Sequence, residues 1–174
     1  MTTVRTDVFK LGDKFATLVG DEVKVGDMAP AFTSVVPGWG TVNPLEESKG
    51  KVIILSAVPS LDTDVCDRET RRFNEEAAKL DDDIVIYTIS TDTPMAQKRW
   101  CGAAGVDKVK VVSDMVDAEF GMKYGVLIKE RRYLRRSVFI VGRDGRLTYV
   151  NYLPTLGTEP NYEEVIQAAK DALK

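Results

Sequence analysis

Histidine is absent from all 174 residues. Its absence excludes a Ser-His-Asp triad, a Cys-His nucleophile pair and any histidine-ligated zinc. Cysteine is nearly as scarce, with only Cys66 and Cys101. Two thiols are too few for a four-thiolate metal site, and their 35-position separation excludes a CxxC pair. No apolar run approaches the ~18 residues needed to span a bilayer. Arg5, Asp7, Lys10, Asp13 and Lys14 interrupt any signal-peptide core, so the expected compartment is the cytosol. Neither sign of charge dominates: a net charge of −3 gives no general attraction to nucleic acid or to acidic membranes. The two thiols are left with three roles: packing, a structural disulfide, or redox chemistry between separated sulfurs.

The length, with 44% apolar and 29% charged residues, predicts one globular domain over 1–174. Val8–Phe9 and Phe15–Val19 flank Gly12-Asp13 and read as an N-terminal β-hairpin at about 8–19. Gly26–Pro30 breaks the chain, and Val36–Pro44 reads as a Gly- and Pro-rich loop. Val52–Val58 is a short apolar run, a buried central strand. Asp67–Leu80 places Phe73, Ala77 and Leu80 on one helical stripe. Ile84–Ile89 and Val109–Val112 are further buried strands. Thr93-Pro94 starts a helix that runs to about Gly102, and a shorter one is expected around Ala118–Tyr124. Arg143-Asp144-Gly145 turns Val138–Val141 into Leu147–Asn151, and Tyr162–Leu173 closes the chain as an amphipathic helix. This order predicts an α/β protein with a mixed central sheet and flanking helices, a thioredoxin-like fold with an added N-terminal hairpin.

Cys66 is the most informative residue. The segment Pro59-Ser60-Leu61-Asp62-Thr63-Asp64-Val65-Cys66 joins a buried strand to a helix, with Thr63 or Asp64 as its N-cap. A helix N-terminus offers unpaired N–H donors and partial positive charge, which favour thiolate over thiol. Asp64, Asp67 and Glu69 oppose that ionisation. A helix terminus supplies only ~0.3–1 kcal/mol, up to ~2 when partly buried, whereas a tenfold gain in thiolate needs about 1.4 kcal/mol. A guanidinium is therefore required near the sulfur.

Pro59, Thr63 and Cys66 match the PxxxTxxC signature of peroxiredoxins, and Ser60-Leu61-Asp62-Thr63 resembles the thiol peroxidase subfamily. Gly26–Phe32, Ile89–Gln97, Arg99-Trp100-Cys101-Gly102 and Thr158–Tyr162 extend the resemblance over essentially the whole chain. It implies that Cys66 is the peroxidatic cysteine, attacking a hydroperoxide to give a sulfenic acid. It implies further that Thr63 accepts from the peroxide, that Pro59 excludes water, and that the Val65 and Cys66 amides face the peroxide oxygens. Arg136, at the start of Arg136-Ser137-Val138-Phe139-Ile140-Val141, fits the family arginine, with Arg135 directed to the opposite face. Read alone, Arg131–Arg136 is a solvated basic loop. Asp64 departs from the small residue or proline usual in the family, and Leu127–Leu134 has no clear family counterpart.

By the same resemblance Cys101 is the resolving cysteine, forming an intramolecular disulfide that thioredoxin reduces, in a protein that pairs as a homodimer. No metal, haem or flavin is implied. In successive βαβ units both helices start at one sheet edge, so Cys101, about eight residues along its helix, is expected roughly 12 Å from that edge. A disulfide needs α-carbons within about 7 Å, so the reduced thiols are expected to stand apart. The rival readings are a redox sensor that oxidises without turnover, and a module whose cysteines only pack.

Overall fold

The computed structural model describes residues 2–174. Four short strands open it: β1 (Val4–Arg5), β2 (Lys10–Leu11), β3 (Lys14–Phe15) and β4 (Leu18–Val19). They are followed by β5 (Ser34–Val35), β6 (Thr41–Val42), α1 (Pro44–Glu47), β7 (Val52–Ala57) and α2 (Asp64–Ala77). Next come β8 (Ile84–Ser90), α3 (Pro94–Ala104), β9 (Lys110–Ser113) and α4 (Glu119–Lys123). The chain ends with β10 (Leu127–Ile128), β11 (Tyr133–Leu134), β12 (Ser137–Val141), β13 (Leu147–Tyr152) and α5 (Tyr162–Ala172).

The main sheet has the order β13-β12-β7-β8-β9-β5-β6. Its centre, β7-β8-β9, is parallel, and β12 runs antiparallel beside β7. This is the mixed, helix-flanked sheet expected from the element order. Every residue of β7 is buried, as a strand covered on both faces requires. Its alternation divides the core in two. Ile53, Leu55 and Ala57 pack with Phe120, Tyr124 and Phe139, whereas Val52 and Ile54 pack with Phe73 of α2 and Val165 of α5. Among the described residues, no helix is long and apolar enough to cross a membrane.

Three local expectations change. The N-terminal hairpin is β2–β3, closed by the Ala16 N–H bond to the Phe9 carbonyl, and so spans 9–16 rather than 8–19. Beyond it the chain turns away, because Leu18–Val19 pairs with Val4–Arg5 on one side and Leu127–Ile128 on the other. The second helix starts at Asp64 and ends at Ala77, three residues earlier at both ends than its apolar stripe suggests. The stretch read as a loop from Val36 to Pro44 contains β6 and the start of α1. Two-residue strands are too short to show a period, so pairing partners alone create them.

Candidate active site

The β7–α2 junction builds the site. Thr63, not Asp64, is the N-cap: it has extended backbone (φ −91°, ψ 145°), and its Oγ1 accepts from the Cys66 N–H at 3.4 Å. The Thr63 hydroxyl donates to the Ser60 carbonyl at 3.1 Å, which leaves its lone pairs as acceptors. Cys66 is thus in the first turn of α2, where Val65 and its neighbours contribute the N–H groups that a helix leaves without intrahelical acceptors. Its sulfur is fully buried and packs with Val58 and Leu61, with Pro59 buried alongside.

Asp92, just past the end of β8, fixes the turn before the cap. It accepts from Ser60 Oγ at 2.7 Å and from the Leu61 N–H at 2.8 Å. Ser90 Oγ donates to the same carboxylate at 2.7 Å, and Gln97 Nε2 donates to Ser90 Oγ at 3.0 Å. The Thr91-Asp92-Thr93-Pro94 motif therefore supports the Cys66 loop as well as starting α3.

Arg136 arrives from the neighbouring strand. Val138 and Ile140 of β12 share the core face of Phe73 of α2, so period-two alternation sends Arg136 to that face and Arg135 to the other. The Ser137–Ala57 pairing sets Arg136 beside the end of β7. Its guanidinium makes three directed bonds: Nη2 to Cys66 Sγ at 3.1 Å, Nε to the Leu156 carbonyl at 3.0 Å, and Nη1 to Glu69. Arg135 instead donates from Nε to the Leu153 carbonyl at 3.1 Å and lies over the Phe9 and Tyr152 rings. The basic run is therefore not a solvated loop at its end, because both of these arginines are buried.

Glu69 is the site residue that sequence reasoning misjudged. Expected only as a charge opposing the thiolate, it is buried and accepts from Arg136 and from Ser56 Oγ at 2.8 Å. Cys66, Glu69, Thr70 and Phe73 form the buried face of α2, at i, i+3, i+4 and i+7. That spacing was the available signal: a glutamate on an apolar stripe needs a cation. Burial pushes the Glu69 carboxyl up to about 6, with Arg136 and Ser56 pulling it back. Burial also works against the Arg136 charge, but Glu69 and Cys66 outweigh it and hold the guanidinium more firmly protonated than usual.

Because folding raises the Glu69 pKa, the native state binds the extra proton more tightly than the unfolded chain does. Stability should then fall as pH rises from about 4.5 through about 6, by roughly 2 kcal/mol from this group. Asp114, raised to about 6 chiefly by its burial, adds a slope of the same sign. Denaturant titrations across this range should show a smaller slope in Glu69→Gln than in the wild type; an unchanged slope would refute the assignment.

The other acidic neighbours meet solvent or partners of their own. Asp64 is exposed, and Asp67 binds Trp100 and Arg71. Cys101, in the last turns of α3, is partly buried, and burial raises its thiol pKa. Neither cysteine is in a disulfide.

The family model described as Redoxin matches residues 24–166. The chain is 54% identical to the thiol peroxidase of Bacillus subtilis (strain 168) over 158 residues, which is 91% of this chain and 93% of that protein. It is 44% identical to the thiol peroxidase of Streptococcus pneumoniae (strain ATCC BAA-255 / R6), over 88% of this chain and 93% of that one. Among solved structures, a peroxiredoxin-like protein from Aquifex aeolicus superposes with a TM-score of 0.86 at 37% identity, covering 98% of both chains. With the strand–helix cysteine, its arginine and this extent of identity in hand, the chain belongs to the Redoxin family and, within it, to the thiol peroxidases of the peroxiredoxin group.

Proposed function

We propose that Cys66 is the peroxidatic cysteine of a thiol-dependent peroxidase acting on hydrogen peroxide and small alkyl hydroperoxides. The observation that carries this reading is the 3.1 Å bond from a buried guanidinium, Arg136 Nη2, to Cys66 Sγ. A charge-assisted bond of this kind, inside a site closed to water, sets a fixed positive charge beside the sulfur and stabilises the negative charge that develops as the O–O bond breaks. The thiolate attacks the terminal peroxide oxygen, the O–O bond cleaves, and water or an alcohol leaves once the departing oxygen takes up a proton. Cys66 is left as a sulfenic acid. With its own proton committed to the Ser60 carbonyl, the Thr63 hydroxyl is an acceptor for the peroxide O–H. Pro59 keeps bulk water out, and the Val65 and Cys66 amides face the peroxide oxygens, the Cys66 N–H turning from its long 3.4 Å bond to Thr63 Oγ1.

Cys101 then attacks the Cys66 sulfenic sulfur, forming the disulfide and releasing water. Thioredoxin returns the two electrons. Because both thiols are free and Cys66 is enclosed, the first turn of α2, the end of α3, or both unwind in each cycle. The reading includes one catalytic domain over 1–174, a homodimer and a cytoplasmic setting. No nucleic acid is involved.

The test is peroxide consumption coupled to thioredoxin and its reductase. Wild type should turn over continuously. Cys101→Ser should use one equivalent and stall, with a dimedone-reactive sulfenic acid at Cys66. Consumption of a single equivalent by the wild type would replace the enzyme with a sensor, and equal steady rates in both proteins would remove Cys101 from the cycle.

A further inference from the structure

The residue after Cys66 is hydrogen-bonded to the residue before Cys101. Asp67 Oδ1 accepts from Trp100 Nε1 at 2.9 Å, and Asp67 Oδ2 accepts from Arg71 Nε at 2.8 Å. The Arg71 guanidinium lies 5.6 Å from the Trp100 ring centroid, and its Nη1 donates to the Ala104 carbonyl at 3.2 Å. The indole also packs against the cluster formed by Val58, Leu61 and Cys66, and against the core beneath α2 and α5. One carboxylate and one guanidinium thus tie the first turn of α2 to the last turns of α3.

That end of α3 is held less deeply than its start: Trp100 and Ala104 are only partly buried where they pack on the core. Its buried residues, Pro94 and Gln97, are both in its first half. Gly102 follows Cys101 with open space where a β-carbon would project, and glycine inside a helix is unfavourable relative to alanine. The cap, Gly105, has left-handed backbone. The shared bond, whose acceptor is charged and whose setting is partly buried, opposes unwinding of either cysteine-bearing turn.

We propose that the Asp67–Trp100 bond, braced by Arg71, is a latch: Asp67 and Trp100 are positioning residues that set how fast Cys101 reaches the oxidised Cys66. This rests on the thiol roles proposed above. The sulfenic acid has two fates. It condenses with the Cys101 thiol, forming the S–S bond and releasing water. Alternatively, it takes an oxygen from a second hydroperoxide, whose O–O bond breaks, giving a sulfinic acid and an alcohol or water. A closed latch prolongs the first state and so feeds the second fate.

Trp100→Phe removes the indole N–H and keeps an aromatic ring. Rapid quenching with an alkylating agent, followed by mass spectrometry, reads sulfenic acid, disulfide and sulfinic acid separately. Disulfide formation should be about 3–10-fold faster than in the wild type. The sulfinic fraction at matched peroxide should drop by a similar factor, and sulfenic acid should form at the wild-type rate. Asp67→Ala should also accelerate disulfide formation, and Trp100→Phe added to it should give no further gain, because the bond is already lost. Wild-type or slower disulfide formation in Trp100→Phe, with normal sulfenic acid formation, overturns the latch and leaves the thiol roles standing; so does an additive double variant. Absence of a Cys66–Cys101 disulfide in the wild type overturns the thiol roles themselves.

Discussion

Arg136→Met is expected to slow oxidation of Cys66 by hydrogen peroxide about 10²–10³-fold, the usual loss when a preorganised donor to developing charge is removed. The three guanidinium bonds, to Cys66, Glu69 and the Leu156 carbonyl, use the planar fork that only arginine carries. Lysine carries the charge but not the planar fork, so Arg136→Lys should recover only part of the rate. Stopped-flow oxidation under single-turnover conditions isolates this step from resolution, and Cys66→Ser, which has no thiolate, sets the floor. An Arg136→Met protein within tenfold of wild type would separate the arginine from the chemistry. Its unpaired Glu69 would take up a proton rather than remain a buried charge, so the variant need not unfold.

Glu69→Ala should be costly in stability. Removing one partner of a buried ion pair typically costs about 3–5 kcal/mol, which for a chain of this size lowers Tm by roughly 10 °C. It leaves Arg136 charged in an apolar site and Ser56 Oγ without its acceptor. Activity should fall as well, because the guanidinium loses the contact that fixes its direction. The double variant Arg136→Met, Glu69→Leu distinguishes the two effects. Replacing a whole buried pair by apolar groups is often neutral or stabilising, so thermal stability should return while peroxide oxidation stays at the Arg136→Met level. Calorimetry and stopped-flow oxidation on the same samples measure both, and a Glu69→Ala protein as stable as wild type would show that the pair holds nothing in place.

Much of this site was legible before any coordinates. The apolar run into Pro59, a cap at Thr63 or Asp64 and the stripe through Phe73 place Cys66 at a helix start through local rules alone. Arg136 needed the family resemblance, and alternation along β12 then assigned it and Arg135 to opposite faces. Glu69 was misjudged because sequence distance records its charge without its partner: the cation that neutralises it lies 67 positions further on. Asp67 was misjudged for the same reason, since its carboxylate is engaged by Arg71 and by Trp100, which lies 33 positions further on. The pairing of β4 with β10 and of β10 with β11 gave Leu127–Leu134 its structure, which two-residue segments cannot announce.

The amino-acid order by itself determined that Cys66 stands where a buried strand hands over to a helix, which fold class surrounds it, and which catalytic strategies are closed for want of histidine. These follow from short-range periodicity, capping and composition. Only the tertiary structure decided how the charges are paired: Arg136 between Cys66 and Glu69, and Asp67 against Trp100. Those pairings join segments that are brought together by strand register and helix packing, and burial then makes each charge depend on the partner that the fold provides.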